Sequence, residues 1–243
     1  MSALLEVEGL EKHFGGVVAV DACSFSVSPG TITGLIGPNG SGKTTVFNLV
    51  TGYVAADAGV IAFGGRAMRR PTPGSLARRG LIRTFQQARI FPQLTLVDNL
   101  ALALPEPWWG IARAAVGRAE RARAEELLEE FGLLAHADIA AGELSYGQQK
   151  LLEFATTLMA RPRLILLDEP TAGVNPVLTE RITSHIRRLN QRGLTFLVVE
   201  HDMNVVMSLC DPVIVLDRGT KIAEGPPLAV QSDPAVLDAY LGE

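Results

Sequence analysis

Short apolar runs separated by longer stretches of helical periodicity recur along this chain. TITGLIG (31–37), LIRTF (81–85), RLILLDEP (163–170), LTFLVVE (194–200) and DPVIVLD (211–217) are nearly continuous in apolar residues. That is how strands buried on both faces of a parallel sheet read, with crossover helices between them. LLEVEGL (4–10), CSFSV (23–27) and GVIAFGG (59–65) alternate more strictly between turn signals, predicting a small antiparallel sheet beside the core. From about Thr95 to Ala160 no strand pattern occurs, and RAERARAEELLEEFGLL (118–134) places Leu127, Leu128, Phe131 and Leu134 at helical spacing. A helical lobe inserted into an α/β core is expected there. VIVLDRGTKIAEG predicts a closing hairpin turning at Asp217-Arg218-Gly219, and DPAVLDAYLGE a short final helix. No internal repeat or low-complexity linker interrupts the pattern.

Composition narrows the functional classes. With 243 residues, 47% of them hydrophobic, the chain can bury a core as one large α/β domain or two small lobes. The net charge of -4, carried by scattered residues, offers no basic stripe for nucleic acid. Cys23 and Cys210 have no metal-like spacing and read as small core residues. The start MSALLEVEGL lacks a charged segment followed by an apolar run, so a reduced cytosolic compartment is expected. No uncharged apolar run approaches the roughly 18 residues that cross a bilayer. Any membrane role must therefore come through a partner.

The chemistry begins at Gly37-Pro38-Asn39-Gly40-Ser41-Gly42-Lys43-Thr44-Thr45, a G-x-x-x-x-G-K-[ST] loop directly after a strand pattern and before a helical one. Glycines there let successive backbone N–H groups face one concavity, and the helix N-terminus adds partial positive charge where phosphate oxygens sit. Lys43 is the candidate for the terminal phosphates and Thr44 for Mg²⁺. Leu164-Ile165-Leu166-Leu167-Asp168-Glu169 is an apolar strand ending in two acids. It would present Asp168 to the metal at the carboxyl edge of the sheet, and Glu169 to an attacking water near the terminal phosphate.

Those two motifs specify nucleoside triphosphate binding and no more. The stretch LSYGQQ (144–149), a second polar segment at an expected helix start, goes further. Here the chain resembles the ATP-binding cassette (ABC) ATPases, whose signature reads LSGGQ: Leu144, Ser145, Gly147 and Gln148 match, and Tyr146 replaces the first glycine. The resemblance covers nearly the whole chain. It implies a P-loop NTPase with a RecA-like parallel-sheet core and an antiparallel β subdomain (1–94 and 161–243), interrupted by a helical signature subdomain (95–160).

By the same resemblance, Phe14 stacks on adenine, Asn39 to Thr45 bind the phosphates, and Thr44, Asp168 and Gln86 attend Mg²⁺. Glu169, His201, Lys43 and Gln86 serve the reaction, and AGVNP (172–176) is the inter-subunit loop. Several of these residues have a second reading. Phe14 could be core, Gln87 competes with Gln86, and His201 could be a helix-cap partner after its strand. Asn175 stands where many cassettes have Asp, which keeps hydrogen-bonding capacity and removes a charge. Pro107-Trp108-Trp109 is either a loop packed on itself or part of an edge that faces a permease.

Within the family, LIGPNGSGKTT, RTFQQARIFPQLTLVDN, DEPTAGVNP, VVEHDM and the ending YLGE look like the ATPase subunits of hydrophobic and branched-chain amino acid importers. The implied partners are integral-membrane permease subunits, a second ATPase subunit, the same or paralogous, and indirectly a periplasmic binding protein. The implied place is the cytoplasmic face of the inner membrane, peripherally. In a head-to-tail dimer, Ser145, Gly147 and Gln148 would cap the nucleotide held by the other subunit's phosphate loop. The lipopolysaccharide-export ATPases share YLGE and form the neighbouring alternative. A DNA-repair or translation ABC protein would usually carry tandem cassettes or long coiled-coil inserts, which are missing from this sequence.

Overall fold

The computed structural model describes residues 2–84, 90–104 and 117–241; Trp108 and Trp109 lie outside these. β1 (Leu5–Phe14) and β2 (Val17–Val27) form a hairpin, followed by β3 (Ile32–Ile36) and α1 (Lys43–Val50). β4 (Ala58–Phe63), β5 (Arg66–Met68), α2 (Pro73–Ala77) and β6 (Leu81–Arg83) come next. The helices α3 (Leu96–Leu102), α4 (Arg118–Glu130) and α5 (Tyr146–Met159) then pack on one another. The chain returns through β7 (Leu164–Asp168), α6 (Pro176–Gln191), β8 (Thr195–Val199), α7 (Met203–Leu209), β9 (Val213–Asp217) and β10 (Thr220–Gly225), and ends with α8 (Pro227–Gln231) and α9 (Pro234–Leu241).

Two sheets result. One is antiparallel in the order β2-β1-β4-β5; the other runs β10-β9-β3-β8-β7-β6, parallel except for β10 at its edge. The central strands send alternate side chains into two different cores, as the period of two in a strand requires. Ile165, Leu167, Phe196, Val198, Val213 and Val215 join the helices α3 to α6 in one cluster. Leu164, Leu166, Leu197, Val199, Ile214 and Leu216 face the antiparallel sheet and α1 in the other. Both cysteines are buried, and Cys210 meets Gly34, where an added Cβ would lie 3.1 Å from the Cys210 Cβ.

One expected helical position differs. Leu127, Leu128 and Phe131 are buried, but Leu134 is exposed and Leu133 takes the inward place. The cause is Gly132, which adopts φ 71°. Its N–H donates to the Glu129 carbonyl and the next N–H, from Leu133, reaches back to Leu128 at 2.7 Å. This left-handed C-terminal cap ends the helix and rotates the following residues off its face.

Phe131 stacks on His185 at 4.3 Å and meets Phe154 edge-on at 5.5 Å. His185 is buried in this cluster, and its Nδ1 lies 2.6 Å from the Arg188 guanidinium. Burial, followed by the positive charge of Arg188, pushes its pKa down to about 4 from 6.5. The folded protein therefore holds a neutral imidazole that the unfolded chain protonates below its ordinary pKa. Stability from this residue is complete above the unfolded value and is lost as pH falls toward the folded one. Urea denaturation should show a loss of about 2 kcal/mol from this residue between about pH 7 and about pH 5. His185→Leu should flatten that slope, and an unchanged slope would remove His185 as its source.

Candidate functional site

The turn between β3 and α1 is built so that only glycine fits at key positions. A Cβ on Gly37 (φ 149°) would lie 2.0 Å from the Leu216 carbonyl oxygen, and one on Gly42 (φ 101°) 2.6 Å from the Ala19 carbonyl oxygen. Gly219 donates its N–H to the Ser41 carbonyl (3.0 Å), and Asp21 donates to the Gly219 carbonyl (3.0 Å). The loop is thus fastened to both sheets by backbone alone. Asn39 and Gly40 are exposed at its tip, Ser41 is buried, and Thr44 is exposed beside the half-buried Thr45. Lys43 is buried and curls over the loop, donating from Nζ to the carbonyls of Gly37 (2.7 Å) and Pro38 (2.8 Å) and to Ser41 Oγ (3.3 Å). Phosphate oxygens are stronger acceptors for an ammonium than neutral carbonyls, so a bound triphosphate would compete for this group.

Phe14 is 49% exposed at the end of the β1–β2 hairpin, paired with Val17, with Lys12 Nζ 5.4 Å from its ring centre. Its exposure removes the core reading. Because Ala19, two residues beyond Val17, touches the loop at Gly42, the ring stands on the hairpin that borders the phosphate loop.

Asp168 ends β7 with its Oδ2 2.7 Å from Arg83, whose guanidinium also donates to Asn48 Oδ1 of α1 at 2.7 Å. Glu169 follows at φ 50°, a left-handed conformation uncommon for a residue with a side chain, and its N–H is fixed on the Val199 carbonyl at 2.9 Å. Its Oε1 lies 2.8 Å from His201 Nε2. His201 is not a cap partner: α7 is capped by Asp202, whose side chain accepts from the Asn204 N–H. Glu200 supports this pairing. Its buried carboxylate accepts from the Thr171 N–H (2.9 Å) and hydroxyl and from the His201 N–H (3.1 Å). The segment after β7 is thereby tied to the end of β8, where His201 begins.

Sequence reasoning passed over Arg83 and Glu200. Glu200 carried the signal that marked Asp168, an acid at the carboxyl end of an apolar run, and Arg83 the weaker one of a charge inside the run LIRTF. Gln86, and with it the choice against Gln87, lies outside the described residues. Among the described residues no group of three or more His, Cys, Asp or Glu is placed to hold a metal. The donor set of one carboxylate, Asp168, and one hydroxyl, Thr44, nevertheless fits Mg²⁺, which binds through one or two carboxylates plus substrate phosphates.

The signature residues lie on the other core. Ser145 caps α5 in a reciprocal box with Gln148, and the Gln148 amide reaches His136 Nε2 at 3.3 Å. Leu144, Leu151 and Leu152 anchor this turn in the helical cluster, whereas Val46, Phe47, Leu49 and Val50 of α1 belong to the cluster beneath the antiparallel sheet. Instead, the start of α5 meets the start of α6: a Cβ on Gly147 would lie 2.9 Å from Leu178 Cδ2, and one on Gly173 3.8 Å from the Tyr146 hydroxyl. Asn175 caps α6, accepting from the Leu178 N–H at 2.9 Å. The amide keeps the capping role open to an Asp there.

The described residues contain no helix long and apolar enough to cross a membrane. A family model described as ABC transporter matches residues 20–172, and one described as branched-chain amino acid ATP-binding cassette transporter matches residues 220–243. The high-affinity branched-chain amino acid transport ATP-binding protein BraF of Pseudomonas aeruginosa is 40% identical over 99% of this chain and 98% of its own length. LivG of Escherichia coli strain K12, which carries the same description, is 39% identical over 99% and 98%. Among solved structures, an ATP-binding cassette of an ABC transporter in its ADP conformation superposes with TM-score 0.90 at 36% identity, covering 100% of both chains. A dimeric cassette in a post-hydrolysis state, bound to ADP and Pi, gives TM-score 0.77 at 27% identity over 92% of this chain and 98% of that one.

Proposed function

This chain belongs to the ABC transporter ATP-binding cassettes, and from that premise we propose that it powers an integral-membrane permease importing branched-chain amino acids or similar small amides, from the cytoplasmic face of the inner membrane. It is an ATPase of a transport system. The substrate reading is carried by one observation: relatives named for branched-chain amino acid transport align over 99% of the chain, well beyond the segment that the general cassette model covers.

Phe14 would stack on adenine while the backbone from Asn39 to Thr45 receives the phosphates. Lys43 would exchange the carbonyls of Gly37 and Pro38 for phosphate oxygens. Thr44 and Asp168 would hold Mg²⁺, with Gln86 as a further ligand, and the ion would supply neutralising charge at the phosphates. Water adds to the γ-phosphorus as the bond to the β-phosphate oxygen breaks, and Glu169 accepts the water's proton. The 2.8 Å contact between Glu169 and His201 supports this role, because it aims the carboxylate while His201 stands beside it to meet the γ-phosphate. Glu169→Gln should keep ATP binding and lower hydrolysis by about a hundredfold or more. Turnover within tenfold of the parent in a steady-state phosphate-release assay would exclude Glu169 as the base.

Since Leu144, Leu151 and Leu152 anchor the signature turn in one cluster and α1 packs in the other, Ser145, Gly147 and Gln148 would complete the site of a second subunit, the same chain or a paralogue, arranged head to tail. Nucleotide would then join the two subunits and hydrolysis would release them, driving the permease between two conformations. Lys43→Ala and Ser145→Arg each damage both sites of a homodimer. In a covalently linked mixed dimer, both lesions fall in one site and the other is intact, so ATPase activity should return to a substantial fraction of the parent's. No recovery in a verified mixed dimer would rule out shared sites.

For the substrate, the cassette is reconstituted with its permease in vesicles. A binding protein loaded with leucine should stimulate ATP hydrolysis several-fold over the unloaded one. Stimulation by lipid alone would reject amino-acid import in favour of lipid export.

A further inference from the structure

We propose that Arg83 is a positioning residue that fixes the spacing between Thr44 and Asp168, the two groups that would hold Mg²⁺; the inference rests on that assignment of the metal site. Arg83 ends β6 with a side chain only 7% exposed, a costly place for a charge unless it is paired. One terminal nitrogen donates to Asp168 Oδ2 at 2.7 Å, and the other to Asn48 Oδ1 at 2.7 Å and, more weakly, to Thr51 Oγ1 at 3.3 Å. The guanidinium also lies against two rings, 5.5 Å from the centre of Phe47 and 5.8 Å from that of Tyr53. Its orientation is thus fixed by stacking as well as by hydrogen bonds.

The geometry makes this fork a cross-brace. Asn48 lies four residues after Thr44 in α1, so the two share a helix face one turn apart. Asp168 lies on β7, the strand paired with β6. A single planar group therefore joins the helix that carries one proposed ligand to the strand that carries the other. Thr84 strengthens the join, since its hydroxyl accepts the Asp168 N–H at 3.4 Å and its own N–H donates to the Leu166 carbonyl at 2.9 Å. Outer groups of this kind orient metal ligands, and their loss typically costs about 10–100-fold in metal affinity.

Removing the Arg83 charge would test two opposed effects together, because a guanidinium beside Asp168 also repels a cation. Arg83→Lys separates them: it keeps a positive charge for Asp168 but has no fork to reach Asn48 at the same time. Asn48→Ala removes the other end of the brace and leaves the Arg83–Asp168 pair in place. The protein is mixed with a fluorescent non-hydrolysable ATP analogue, Mg²⁺ is titrated against analogue binding, and bound Mn²⁺ is counted by electron paramagnetic resonance.

Each single variant should raise the half-saturating metal concentration by about tenfold and leave metal-free analogue binding within twofold. The double variant should go little beyond the larger single effect, since both act on one brace. A half-saturating concentration within twofold of the parent in both single variants, whatever happens to their thermal midpoints, would overturn the proposal. Asp168→Asn separates the two levels of the argument. If it shifts the metal dependence while the brace variants do not, the brace alone fails. If it too leaves the dependence unchanged, the metal-site assignment fails and the brace falls with it.

Discussion

The fit of the phosphate loop between two sheets is the constraint on which the rest of the structure depends. Gly37 passes so close to the Leu216 carbonyl that no side chain can be accommodated, Gly42 does the same at Ala19, and Gly219 exchanges backbone hydrogen bonds with Ser41 and Asp21. Ala19 and Asp21 belong to the antiparallel sheet and Leu216 to the parallel one. One turn therefore fixes how the two sheets face each other and where α1 starts. These contacts are backbone to backbone, and the Lys43 ammonium adds side-chain bonds to the loop carbonyls.

Around that turn, each acid at the carboxyl end of a strand has been given a polar partner. Asp168 has Arg83, Glu169 has His201, and Glu200 has Thr171 and the His201 N–H. Such partners offset the cost of taking polar groups out of water. Lys43 satisfies itself in the same way on loop carbonyls. In the proposed function, binding a triphosphate would be an exchange of partners within an arranged set of charges, limiting the reorganisation left for the chemical step.

The helical lobe obeys a different packing logic. Its signature turn is capped by its own Ser145 and Gln148, and that turn meets the start of α6 through Tyr146 and Gly147. Tyr146 fills the place of a family glycine and lies near Gly173, so the departure in the signature and the AGVNP loop are neighbours. Asn175 holds that loop's helix by a cap that needs no charge. The signature turn is anchored in the cluster shared by the helices and one face of the parallel sheet.

Much of this was determined by the sequence. Alternation of apolar residues distinguished the two sheets, because the period of two and the burial of one face or both are local properties of a strand. The glycine pattern of the phosphate loop and the Ser145–Gln148 capping pair are equally local. What only the tertiary structure decided is which distant groups meet. Leu133 replaces Leu134 in the core because Gly132 turns left-handed, a choice that periodicity does not record. Arg83 was visible only as a charge inside an apolar run and Glu200 as the charged end of one; their partners appear once β6 lies beside β7, and β7 beside β8. A side chain's chemistry is written in its residue type, but its partner is set by strand order, and strand order is a property of the folded chain.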